Sequence, residues 1–245
     1  MICWICNVNN ADSREHRTKR SDLKSEIHSV SQNKPIYLSE MKELKNGKKV
    51  LSKNKRIGSL DADILKYQHS ICHDCNTSKT QKHDKAWENF SQKLKSLIPN
   101  TSLKNQYIRF NKIFPYNTSY EMRNVHLFFI KLFGCQIIES EFKFKNKIPI
   151  DIKTFSEAIL NQRIHPNIYL SFKYRKQTNT IAENSDVHVL INKATNEAAF
   201  ATWLYCTGNL VVNIMYALPN EKREGLKSAW HPRLGYKRFH FEEFL

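Results

Sequence analysis

Apolar residues recur at helical spacing in two stretches of the chain. Trp87, Phe90, Leu94 and Leu97 form one stripe that stops before Pro99. This predicts an amphipathic helix whose start lies near Asn76. Val125, Phe128, Phe129, Leu132 and Phe133 repeat the pattern more densely and predict a buried helix over 120–133, with Gly134 placed as its C-cap. A shorter helix is expected over 154–162. After it come strand-like runs at 168–174, 187–192, 198–206 and 210–217, the last two joined by a turn at Thr207-Gly208-Asn209. Together these elements predict an α+β region with an antiparallel sheet and helices on one face.

Ahead of these elements the pattern is weaker. The run YLSEMKELKNGKKVLSKNKR centres on the turn pair Asn46-Gly47 and predicts a lysine-rich hairpin finger inside a basic insertion of about 31–58. Two prolines and many polar residues make 98–118 read as a connector with one helical turn at most. The expected organisation is therefore a first domain over 1–97, a connector over 98–118, and an α+β domain over 119–245.

Composition sharpens this picture. Apolar residues make up 40% of the 245, enough for a real core, and only six glycines argue against a Gly-rich nucleotide cradle. Lys and Arg number 39 against 23 Asp and Glu, a net charge of +16. Residues 1–56 alone carry 13 basic and six acidic side chains. Such an excess suits a polyanionic partner. No apolar run approaches the ~20 residues a spanning helix needs, and no secretory leader pattern is present, so a soluble, cytoplasmic protein is expected.

Six cysteines stand at 3, 6, 72, 75, 135 and 206. Cys135 and Cys206 read as core, as does Trp203. The other four form two C-x2-C knuckles, Cys3-Trp4-Ile5-Cys6 and Cys72-His73-Asp74-Cys75, able to offer four thiolates to one structural zinc ion. A redox pair needs a strand before it, and none precedes Cys3. Two unrelated pairs of buried thiols are the other alternative. A shared ion would fold the amino terminus back and bring 11–20 close to the residues just after Cys75.

Within 11–20 lies Glu15-His16, flanked by Arg14, Arg17, Lys19 and Arg20. The order Cys3, Cys6, Glu15-His16, Cys72, Cys75-Asn76, Lys79 resembles the HNH family of ββα-metal (His-Me finger) nucleases over roughly residues 1–95. That resemblance implies a hairpin and a helix gripping one catalytic Mg²⁺ or Mn²⁺. His16 would be the general base, and Glu15 and Asn76 would be ligands of that ion. His83, two helical turns beyond Asn76, is a further candidate ligand. Arg14, Arg17, Lys19, Arg20 and Lys79 would hold phosphates, and the cations near His16 would favour its neutral form. Two departures stand out: 66–71 lacks the family's asparagine, and the acid is Glu where Asp is commoner.

The resemblance implies a metal-dependent endonuclease acting on DNA in preference to RNA. Standalone proteins of this kind occur in phages, mobile elements, restriction and anti-phage defence, and a homodimer or a defence-system partner protein is left open. The competing reading is a non-catalytic zinc module that binds nucleic acid through the same cations. Residues 119–245 show no chemical constellation. Their aromatic-basic tail, YKRFHFEEF, is expected to pack against the sheet.

Overall fold

The computed structural model describes residues 1–245 except 28, 44–48, 69, 99–105, 177–179, 236 and 245; for 39–43, 49–54 and 106 it describes the backbone alone. Six helices are described: α1 (Arg20–Glu26), α2 (Gln81–Leu97), α3 (Phe110–Ile113), α4 (Thr118–Phe144), α5 (Ile152–Leu160) and α6 (Glu224–Lys227). The strands are β1 (Ile36–Glu43), β2 (Lys49–Ile57), β3 (Gln106–Arg109), β4 (Ile168–Tyr174), β5 (Ala182–Asn184), β6 (His188–Asn192), β7 (Glu197–Thr207), β8 (Leu210–Ala217) and β9 (Arg238–Glu243).

β1 and β2 pair antiparallel from Ile36↔Ile57 to Glu43↔Lys49, a ribbon of their own at the expected basic finger. Its turn at Asn46-Gly47 lies outside the described residues. The other seven strands form one sheet in the order β3-β9-β4-β8-β7-β5, with β6 also paired to β7. Gly208 takes φ +52 in the two-residue loop between β7 and β8, the left-handed backbone that such a hairpin needs. One joint differs from the expected antiparallel sheet: β9 runs parallel to β4, so the sheet is mixed. The connector hides β3, and the aromatic-basic tail is β9, which pairs with β3 from Gln106↔Phe241 to Arg109↔Arg238.

α4 departs most from its expected bounds. It runs straight through Gly134 for 27 residues, and Leu127, Phe128, Phe129, Ile130, Leu132 and Phe133 are all fully buried. A helix buried on every side is a core helix, and this one packs against α2, α5 and the sheet. Trp87 of α2 stacks on Phe128 with centroids 5.4 Å apart and meets Tyr205 of β7 edge-on at 5.8 Å. Phe133 lies parallel to Trp203 at 6.0 Å.

Gly134 is no C-cap. A Cβ there would sit 2.5 Å from the ring of Trp4, so the missing side chain lets the first knuckle lean on the middle of α4. Ser156 on α5 donates to the Ile5 carbonyl at 2.5 Å from the same knuckle. One continuous cluster of buried side chains runs from Cys3, Trp4 and Ile5 through Trp87 and Phe128 to Phe241. The expected boundary at 98–118 is thus a boundary in sequence only, because the two halves share a core.

Candidate metal centre and the surroundings of His16

The first knuckle is closed by its own backbone. Asn7, at φ +52, donates its N–H to the Cys3 carbonyl at 2.8 Å, and Cys3 N–H reaches the Asn9 carbonyl at 2.9 Å. The second knuckle runs into one wide π-helical turn, Cys75–Lys79, that leads to α2. The four sulfurs of Cys3, Cys6, Cys72 and Cys75 lie within 4.8 Å of one another, with Cys6 and Cys72 Sγ 3.8 Å apart. A tetrahedral zinc with bonds of ~2.3 Å sets its sulfurs ~3.8 Å apart, so the donor set fits. Asn9 Nδ2 at 3.7 Å and Cys75 N–H at 3.5 Å donate to Cys72 Sγ, as donors around a thiolate should.

Burial pushes the Cys3 and Cys75 thiols above their ordinary pKa. At Cys6 the same burial is outweighed by backbone N–H groups of Asn9 and Val8, which bring it down to about 6. Thiols this crowded resist ionising together, and a divalent cation is what lets four thiolates share so small a volume. The cluster can hold a metal ion such as zinc. All six cysteines are free thiols.

The knuckles align two extended segments. Ser13 pairs with Ile71 and His16 with Lys66, and Tyr67 N–H donates to the Glu15 carbonyl at 2.8 Å. In extended backbone, successive side chains leave opposite faces, and the adjacent Glu15 and His16 do so. His16 Nε2 lies 3.2 Å from the Leu60 carbonyl and 3.8 Å from Asp61 Oδ1. Its pKa is lowered from the ordinary value of 6.5, with burial as the leading cause; the Leu60 carbonyl and Glu15 oppose it, and Lys66 adds to it. Burial therefore takes over the role expected of the flanking cations.

Glu15 turns inward. Only 5% exposed, it meets Lys131 Nζ of α4 at 2.8 Å, and Asp84 of α2 meets the same nitrogen at 2.7 Å. Lys131 is wholly buried. That burial alone would lower its pKa, but Asp84 and Glu15 hold it above its ordinary value, so it stays an ammonium ion. A second divalent ion on Glu15 would lie against that buried cation. Glu15 is thus corrected from metal ligand to ion-pair partner.

His83 is corrected too. It is fully buried, its Nε2 lies 3.0 Å from Gln162 Oε1, and burial holds its pKa down to about 4. Asn76 Nδ2 donates to Ser13 Oγ at 2.9 Å, beside the extended pair. Among the described residues, no group of three or more His, Cys, Asp or Glu other than the four cysteines converges on one point. Glu15 and His83 thus do not fit the expected Mg²⁺ or Mn²⁺ ligand set, and no chemical step is assigned to that ion.

The expected phosphate contacts face acids instead. Arg14 meets Asp63 at 3.0 Å, Arg20 meets Asp61 at 2.9 Å, and Arg17 pairs with Glu139 while lying over the Tyr67 ring. Lys19 reaches Asp84 at 3.4 Å and Glu88 at 3.6 Å. Lys79 pairs with Asp74 at 3.1 Å, within the second knuckle. Just beyond, buried Asp22 accepts from Trp87 Nε1 at 2.7 Å, Tyr205 OH at 2.6 Å and Ser91 Oγ at 3.1 Å, tying α1 to α2 and β7.

No protein-family model, curated protein or solved structure matches the chain. The functional reading rests on the chemistry of these residues. Sequence reasoning passed over Lys131, Asp84 and Asp22. Lys131 did carry a signal: it is a lone charge inside the apolar run 125–133, and a buried charge requires a partner.

Proposed function

We propose that the chain is a nuclease that hydrolyses phosphodiester bonds of DNA, with His16 as general base and zinc on the four thiolates. The observation that carries this reading is the contact of His16 Nε2 with the Leu60 carbonyl. A carbonyl only accepts, so Nε2 holds the ring proton and Nδ1 keeps a lone pair. As water attacks phosphorus, its proton passes to Nδ1, the ester bond to the leaving oxygen breaks, and that oxygen takes a proton from solvent. The lowered pKa of the imidazole keeps it neutral at neutral pH, the state a base needs.

Further support comes from placement. His16 stands on a short extended pair stapled by the cysteines and followed by a helix, the position that the resemblance gives to the base. The net charge of +16 suits a polyanionic substrate. Two C-x2-C pairs that suit zinc and two buried single thiols fit a reducing compartment, which supports a cytoplasmic location as part of this proposal.

One observation favours a second reading. Because Glu15 is taken by Lys131, the chain is alternatively a zinc-stabilised module that binds nucleic acid without cutting it. Nicking of supercoiled plasmid, with Mg²⁺ and with Mn²⁺, separates the two. His16→Ala should lower the rate by about 10²–10⁴-fold while the chain stays folded by circular dichroism and still binds DNA. Wild-type activity should fall as the medium is acidified below about pH 6.5, and the residual activity of the variant should lack that limb. Equal nicking by both proteins removes His16 as the base. Binding without any nicking by wild type selects the second reading.

A further inference from the structure

A cleft of about 950 Å³ opens between β3, the first turn of α4 and the segment leading into β9. Phe110 and Trp230 supply its apolar lining, and Arg109, Arg123, Lys237 and Arg238 supply cationic groups. Among the described residues none of these four has a carboxylate within ion-pair distance, unlike every cation of the Arg14–Arg20 run. The next acid along β9, Glu242, is taken by Lys173 at 2.5 Å and by His240 at 3.2 Å.

Two features make this more than a solvated basic edge. Arg109 and Arg238 stand directly opposite each other in the β3–β9 ladder, and like charges across a ladder repel. Arg123 lines the same cleft, and its Nε is buried without a hydrogen-bond partner, so the protein does not anchor its guanidinium through that atom. An anion would relieve the repulsion and pair with the Arg123 guanidinium.

Exposed aromatic rings flank these cations. Arg238 lies 4.3 Å over the ring of Tyr107, which is 60% exposed, and Arg123 lies 5.4 Å over Tyr120, which is 42% exposed. Tyr107 and Arg109, two apart on β3, share one face of the ribbon. Cations for phosphates beside rings for bases are what a single nucleic-acid strand requires, because unpaired bases can leave the stack and lie on an aromatic face. A duplex keeps its bases stacked inside and would use only the charge.

We infer that this cleft binds a single-stranded segment of nucleic acid, with Arg109, Arg123, Lys237 and Arg238 on its phosphates and Tyr107 and Tyr120 under its bases. The inference shares with the proposed function only the class of partner. It does not require that His16 be a base, and binding is read without cleavage.

The test is fluorescence anisotropy of a labelled oligothymidylate, with the full chain carrying His16→Ala so that nothing is cut. Replacing all four cations with Ala should weaken binding at least tenfold and flatten the plot of log affinity against log salt by roughly 3, at ~0.7 per phosphate contact of a single strand. Tyr107→Ala should weaken it about fivefold or more. Arg20→Ala, on the ion-paired run, should leave it within about twofold. Arg238→Ala alone, a change at an exposed position, should weaken binding too and keeps the test decisive if the fourfold variant does not fold. Binding indifferent to these changes, or displaced as readily by duplex, by ATP or by inorganic phosphate as by an unlabelled single strand, overturns the inference.

Discussion

Arg14, Arg17, Lys19 and Arg20 each face a carboxylate, whereas Arg109, Arg123, Lys237 and Arg238 face none among the described residues. In sequence the first group is the conspicuous one, four cations within seven residues around a Glu-His pair. The second group is scattered over 130 positions of the numbering. Folding reverses their standing. The dense run meets Asp61, Asp63, Asp84 and Glu139 and helps hold the amino-terminal segment to the rest of the molecule. The scattered residues gather at one cleft and keep their charge uncompensated. A cation's sequence neighbours do not determine its availability to a ligand; the acids that packing brings to it do.

The largest effect is expected at the metal centre. If the dense run is held in place by the cysteine cluster, a strong chelator or Cys72→Ser should remove roughly 10–16 kcal/mol of apparent binding energy, more than most domains possess. The thermal unfolding transition should then be lost or shifted far down. Unchanged unfolding, with no metal found by elemental analysis, would mean that the knuckles hold together without an ion.

Next comes the buried ion pair beneath that run. Lys131→Met leaves Glu15 without its cation and Asp84 with Lys19 alone, and urea unfolding should show a loss of about 3–5 kcal/mol. Adding Glu15→Gln and Asp84→Asn should recover much of it. A loss that these additions do not reduce would assign the cost to packing of the longer α4 contacts rather than to charge.

The smallest effect sharpens the contrast most directly. Arg17→Ala strips a charged partner from Glu139, which is nearly buried, and should cost about 1.5–3 kcal/mol. Arg238→Thr relieves the repulsion of two opposed like charges and removes a cation–π contact with Tyr107, two small opposing effects that should leave stability within about 1 kcal/mol. Urea midpoints of the two variants should therefore move in opposite directions or differ clearly. Equal losses would show that the cleft cations are as structural as the others.

Much of the secondary structure was legible because periodicity is local. The stripe from Trp87 to Leu97 is α2, and the runs at 168–174 and 210–217 are β4 and β8 to the residue. Local pattern is silent where a residue's role is set by a distant surface. Gly134 had the right composition for a helix end, yet Trp4, 130 residues earlier, claims its bare side. β3 lay unseen in a polar connector because an edge strand facing solvent lacks a strong apolar alternation, and β9 was seen only as a tail.

The candidate site divides in the same way. By itself the sequence determined the quartet of cysteines, since two C-x2-C knuckles can offer four thiolates to one ion, and it placed His16 near them. Only the tertiary structure decided that Glu15 faces Lys131 while its neighbour faces Leu60, that His83 is sealed against Gln162, and that the uncompensated positive charge lies at β3 and β9. The physical reason is range. Helical and strand periods and ligand spacing are properties of a few consecutive residues, whereas the partner of a charge is chosen by which elements pack together, and here those partners come from the far side of the chain.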